Sequence, residues 1–121
     1  MDTQELVDVV RQTGFEVHVY FKNGFLEKVY ENSLVNRLRS KGIEVVQQHP
    51  LSVIDEDGSV VGEYYADLFI GGQLIVELKA VKHLDVSHYA QVLSYLKTSN
   101  VKHGMLMNFG ASKFEVKKFV L

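Results

Sequence analysis

The sequence has no cysteine, no tryptophan and one proline, Pro50. Without cysteine there is no disulfide and no thiolate metal site, so any metal must be held by oxygen or imidazole groups. The same absence fits a reducing cytoplasm, the expected location. Long hydrophobic runs are missing too. No stretch approaches the eighteen or so apolar residues of a membrane span, and no membrane partner is expected. The acidic start "MDTQEL" does not read as a signal peptide. An excess of positive charge is also lacking: 13 Lys and Arg stand against 15 Asp and Glu, a formal net charge of −2 with a pI near 6.2. A strong non-specific nucleic-acid binder carries a broad basic surface. Here a nucleic-acid partner has to be argued from a site instead.

What is present is an ordinary core-forming chain. Its 121 residues are 46% hydrophobic and 23% charged, which predicts one domain over residues 1–121. The opening "MDTQELVDVVRQTGFEVHVYF" reads as a helix: Asp2 and Glu5 resemble a capping box, and Leu6, Val10, Thr13 or Gly14, and Val17 recur at helical spacing. "KNG" (22–24) is a turn, and "FLEKVYENSLVNRLRSKG" is a second helix closed by Gly42. The period then changes to that of strands, in "IEVVQQH", "LSVI" and "SVVGEYYADLFI", with "DEDG" as a hairpin turn. Gly71-Gly72 makes another turn before "QLIVELKAVKHL". A helix "DVSHYAQVLSYLKTSN" and two strands, "GMLMNF" and "KFEVKKFV", complete the chain. The order α-α-β-β-β-α-β-β predicts a mixed sheet with helices on its faces.

Carboxylates stand where hydrocarbon is expected. On the second helix Leu26, Tyr30, Leu34 and Leu38 form an apolar stripe, and Glu27 falls between Leu34 and Leu38 in angle. Near a helix start a glutamate also favours the dipole, so position alone leaves two readings open. In "QLIVELKA", Glu77 and Lys79 interrupt a buried strand and share one face. Asp67 lies across the Gly-Gly turn. A two-residue loop would set Asp67 and Glu77 on opposite faces. A three-residue loop, 71–73, pairs Ile70 with Leu74 and sets Asp67 opposite Glu77. The second register is expected, glycine supplying the left-handed backbone it needs. Two carboxylates roughly 5 Å apart at Cβ repel unless a cation intervenes. Asp67, Glu77 and Glu27 are therefore candidate hard-oxygen ligands for Mg²⁺ or Mn²⁺, with Lys79 beside them to orient water or neutralise a phosphate. On the residues alone, an internal Glu77–Lys79 ion pair with Asp67 as an incidental turn residue is the more economical account.

Four motifs change that balance. "GFLEKVY" (24–30) is a G-x-x-E-x-x-Y pattern, followed in order by "GEYYADLFIGGQLIVELKAV" and "HYAQVLSYL", then "LMNFG" (106–110). From about Glu16 to the end, the chain resembles the GxxExxY family of the PD-(D/E)XK nuclease superfamily. The resemblance implies a restriction-endonuclease-like α/β fold, a mixed sheet flanked by helices. It also implies Asp67 and Glu77 as metal ligands, the Leu78 carbonyl as another, Glu27 as the carboxylate from the helix and Lys79 as the motif lysine. Gln91 and Tyr95 resemble the Q-x-x-x-Y accessory motif of exonuclease-like relatives, and would position substrate or water. The helical wheel by itself puts them with His88 in solvent, opposite an apolar arc of Tyr89, Val92, Leu93 and Leu96. His18 fits the family pattern and is a further candidate ligand by analogy. Lys22 stands where relatives commonly carry glycine. His49, His83 and His103 belong to no motif and read as surface residues.

The resemblance implies a Mg²⁺- or Mn²⁺-dependent enzyme hydrolysing phosphodiester bonds of DNA or RNA. The alternative is a non-catalytic or partner-dependent module on the same fold, supported by the small size and the absence of a basic face. Positive groups are scattered, at Arg37, Arg39, Lys41, Lys97, Lys102, Lys113, Lys117 and Lys118, and the apolar "KKFVL" end offers an edge for a homo-oligomer.

Overall fold

The elements follow the expected order in a computed structural model describing residues 1–121. They are α1 (Thr3–Phe21), α2 (Glu27–Ser40), β1 (Val45–Ile54), β2 (Val60–Ile70), β3 (Leu74–Lys79), α3 (Val86–Ser99), β4 (His103–Asn108) and β5 (Glu115–Val120). The five strands lie in sequence order in one mixed sheet. Only β3 and β4 run parallel, with α3 as their crossover. No helix is long and apolar enough to cross a membrane.

Each helix is bounded by its own sequence. Asp2 caps α1, accepting from the Glu5 N–H at 2.8 Å while Glu5 reaches back to the Asp2 N–H. At the end of α2, the Gly42 N–H donates to the Arg39 carbonyl and the Ile43 N–H to the Leu38 carbonyl. This paired closure needs the left-handed backbone of Gly42, φ 78°. Asp85 caps α3 through the Ser87 N–H, and His88 Nδ1 accepts from the Asp85 N–H. α2 starts at Glu27 rather than Phe25, so Leu26, counted above in the apolar stripe, is the cap residue and 81% exposed.

Two apolar layers sandwich the sheet. On one face α1 and α2 pack against Val45, Leu68, Ile70, Leu74, Val76, Leu78, Met105 and Met107. On the other, Val92, Tyr95 and Leu96 of α3 cover Leu51, Ala66, Ile75 and Leu106. Each fully buried Leu or Ile contributes about 2 kcal/mol by leaving water. The expected apolar arc of α3 is rotated: Tyr95 is buried and Leu93 is 36% exposed. Of the three histidines read as surface residues, only His83 is exposed. His49 and His103 are half-buried, His49 stacking on Phe69 with ring centroids 4.6 Å apart.

Three details of the sheet create the site. First, Ile70 pairs with Leu74 across Gly71 and Gly72, φ 60° and 68°, which is the expected register. Second, the β2–β3 ladder stops after three pairs, at Leu68–Val76. β2 continues with β1 while β3 continues with β4, so the sheet forks there. Third, strand parity changes at the fork. In β1, Val45 faces α1 and α2 while Leu51 faces α3; in β2, Leu68 faces α1 and α2 while Ala66 faces α3. Both changes occur where Gln48 stands opposite Asp67, between the pairs Gln47–Leu68 and His49–Ala66. Gln48 has a positive φ of 52°.

Beyond β3 the chain is stapled to the loop after β4. Asn108 Oδ1 accepts from the Val81 N–H at 3.0 Å and its amide donates to the Val81 carbonyl at 2.9 Å, imitating a ladder pair with a side chain. Phe109 N–H donates to the Lys79 carbonyl. A Cβ on Gly110 would lie 2.2 Å from Val81 N and 2.3 Å from Ala80 C, so this crossing admits only glycine. Gly110→Ala is expected to cost about 3 kcal/mol of stability, the upper range for overpacking against rigid backbone. Urea denaturation measures it, and a loss under ~1 kcal/mol would show that the crossing yields.

Candidate functional site

At the fork, side chains take over from the ladder. Asp67 N–H donates to Glu77 Oε1 at 2.7 Å, and Leu78 N–H donates to Asp67 Oδ2 at 2.9 Å. Two backbone donors freed by the parting strands are thereby satisfied by carboxylates. Glu77 is buried, 3% exposed, and Asp67 is half-buried. Burial, and then the neighbouring Asp67 carboxylate, push the Glu77 carboxyl up to about 9. Asp67 is raised as well, mainly by burial, against the opposing pull of the Leu78 N–H. Glu77 is the deeper of the two.

Glu27, the first residue of α2, is half-buried. Its carboxyl is raised by burial and then by Asp67, with Lys79 opposing the rise. Of the two readings left open for Glu27, the structure adds electrostatic contact with the fork to its place at the helix start. The turn before it is held by Tyr30, which is fully buried and stacked on Phe109 at 4.8 Å. The Tyr30 hydroxyl donates to the Lys22 carbonyl at 2.6 Å and accepts from the Phe25 N–H at 3.1 Å. In G-x-x-E-x-x-Y, glycine therefore bends the chain (Gly24, φ 118°) and tyrosine braces the bend. Glutamate is the residue they present.

The economical ion-pair account of "VELK" does not hold. The ion pairs are Lys28–Glu31, Lys41–Glu16 and Asp85–His88, and none includes Lys79. Glu77 is instead paired with a second carboxyl, an arrangement that suits a proton or a metal cation between them. The groups present fit a hard divalent ion: Asp67, Glu77 and, from α2, Glu27. They are not closed into a cage, for no three carboxyl or imidazole groups gather at ligand spacing.

Gln91 and Tyr95 do not lie in solvent as the wheel suggested. Tyr95 is 7% exposed, and Gln91 Nε2 donates to its hydroxyl at 3.2 Å. Burial, then Glu77 and Asp67, push the Tyr95 hydroxyl up to about 12, which places Tyr95 within reach of the fork's charge. Gln91 Oε1 is buried without a partner. His18 is buried against Phe109 and Phe114, its Nε2 3.0 Å from the Ala111 carbonyl, with no carboxylate among its hydrogen-bond partners. One residue was missed by sequence reasoning: Glu31, buried one turn after Glu27 and bonded to Lys28, Gln47 and Gln48. The only available signal was a glutamate four residues after another on a helix that is otherwise apolar on that side.

The model of the PD-(D/E)XK nuclease superfamily matches residues 4–119, and the chain belongs to that superfamily. No curated protein matches it. Its restriction-endonuclease-like fold is similar to the crystal structure of SSO0001, with a TM-score of 0.59 and 17% identity. That likeness covers 77% of this chain and 50% of the other, so the chain spans about half the length of that protein.

The raised Glu77 carboxyl makes a signed prediction. Between the ordinary glutamate value of 4.5 and about 9, the folded protein binds more protons than the unfolded chain. Stability should therefore fall as pH rises through that window in the absence of divalent cations. Glu77→Gln removes the Glu77 share of the dependence, leaving the smaller one from Asp67 and Glu27: at pH 8 with chelator it should exceed wild type by at least about 1 kcal/mol, and the difference should shrink toward pH 4. Denaturation at both pH values checks it; a difference independent of pH would put the Glu77 proton elsewhere.

Proposed function

We propose that this domain is a divalent-metal-dependent phosphodiesterase of the GxxExxY type, cleaving nucleic acid. The observation that carries the reading is the Asp67–Glu77 pair, a half-buried and a buried carboxyl side by side with no ion pair to either. A fold spends stability on such a pair only where something replaces the proton. Satisfying two backbone N–H groups does not by itself call for it, since neutral side-chain amides would do so without burying charge.

In this reading Asp67 and Glu77 hold Mg²⁺ or Mn²⁺, with the Leu78 carbonyl and Glu27 completing the set. The bound cation supplies charge neutralisation at the phosphate and acidifies water. Lys79, sharing a face with Glu77, sets its ammonium against charge building on the phosphate oxygens. Glu27 orients water from the α2 side. Tyr95, steadied by Gln91, orients the substrate from the α3 side. Lys82 and Lys113 line one surface depression of 520 Å³ with Gly110, just past β3, where a phosphate backbone can lie.

The test is Mn²⁺ titration by calorimetry, joined to cleavage assays on single- and double-stranded DNA and RNA. Wild type should bind Mn²⁺ and Glu77→Ala should not. Near pH 7, binding should release close to one proton, seen by comparing buffers of different ionisation enthalpy. Lys79→Ala should retain the metal and lose cleavage about 100-fold. Absence of Mn²⁺ uptake by wild type would overturn the proposal.

A further inference from the structure

Gln48 combines two features that the chemistry above leaves unused. Its backbone is in the left-handed region, φ 52°, although it is neither glycine nor asparagine. Such a conformation costs about 1 kcal/mol or more and persists only where the surroundings impose it. Its side-chain amide lies between two carboxylates, with Nε2 3.4 Å from Asp67 Oδ1 and 3.2 and 3.4 Å from the Glu31 oxygens. Facing two acids, the amide must present its NH₂ end, since the carbonyl oxygen would repel both.

Glu31 anchors this amide. It is buried, and Lys28 at 2.9 Å and Gln47 at 2.8 Å fix its Oε2. The chain of contacts runs from α2 through Glu31 and Gln48 to the free oxygen of Asp67, whose other oxygen is taken by the Leu78 N–H. An extended Gln48 would follow the parity of its strand. The left-handed residue instead marks the point where β1 and β2 change faces.

We propose that Gln48 is a positioning residue for the proposed metal site, holding the Asp67 carboxylate through an amide anchored on Glu31. The inference rests on the metal reading above. A neutral double donor suits the task. It fixes the carboxylate without cancelling its charge, whereas a lysine there would compete with the cation for Asp67.

The test compares Gln48→Gly and Gln48→Ala in the full chain, by Mn²⁺ calorimetry and thermal melting. Both remove the amide, but only glycine relieves the left-handed backbone. Both should weaken Mn²⁺ binding by about 10-fold or more, with the glycine variant melting above the alanine variant. Loss of affinity together with regained stability is a result that a purely structural role does not give. If the glycine variant keeps wild-type affinity while the alanine variant loses it, Gln48 serves the backbone alone and the inference falls. Unchanged affinity in both variants overturns it too, leaving the metal reading intact. A wild type that takes up no Mn²⁺ removes both.

Discussion

Two backbone N–H groups at the fork of the sheet, those of Asp67 and Leu78, are met by carboxylates where an unbroken ladder would offer carbonyls. Much of the local structure depends on that exchange. A buried donor left alone costs about 1–3 kcal/mol, so once β2 and β3 part, something must satisfy it. A carboxylate does so with a strong bond but brings charge into a low-dielectric place. The fork therefore solves a backbone problem by creating an electrostatic one. Glu77, raised to about 9, is where that second problem remains.

The surrounding residues keep the exchange in register. Gly71 and Gly72 set the pairing that brings Asp67 beside Glu77. Tyr30 braces the turn that presents Glu27, and Phe109, stacked on Tyr30, ties its own N–H to the Lys79 carbonyl. Asn108 clamps Val81 just beyond, and Gly110 lets the two backbones cross. Several motif residues thus have no chemistry to perform. They fix directions, which a site of this kind needs as much as it needs ligands.

The sequence made the register legible because side-chain period in a strand is two and only one loop length puts both acids on one face. The helix caps were legible for similar reasons, since each is a local pattern of residue types. The superfamily followed from motifs whose order is more specific than any one of them. Other features left no such trace. The half-turn at Gln48 breaks the parity on which strand reading relies, and glutamine does not announce a left-handed backbone as glycine does. Glu31 escaped because the partners that tie it to the fork, Gln47 and Gln48, come from β1, well along the chain. The wheel of α3 erred by roughly 60°, at 100° per residue, because a wheel ranks faces by hydropathy. It cannot know that Tyr95 meets Tyr64 across 5.3 Å while Leu93 looks outward.

Charge distribution bears on the proposed chemistry in one further way. From Gly42 to Leu78 there is no lysine or arginine, so β1, β2 and most of β3 bring only acidic groups to the fork. A phosphate approaching the bare site meets Asp67 and Glu27 with Lys79 as the nearest compensation, and the net field opposes it. On the proposed reading a cation must therefore enter before the substrate, displacing the Glu77 proton and reversing the sign of the field. Substrate affinity then depends on metal concentration and pH together, because one proton and one divalent ion compete for the same two carboxylates. In that arrangement the modest overall charge is no obstacle to nucleic-acid binding. Attraction for phosphate is delivered locally, at the fork, by the ion that the two carboxylates hold.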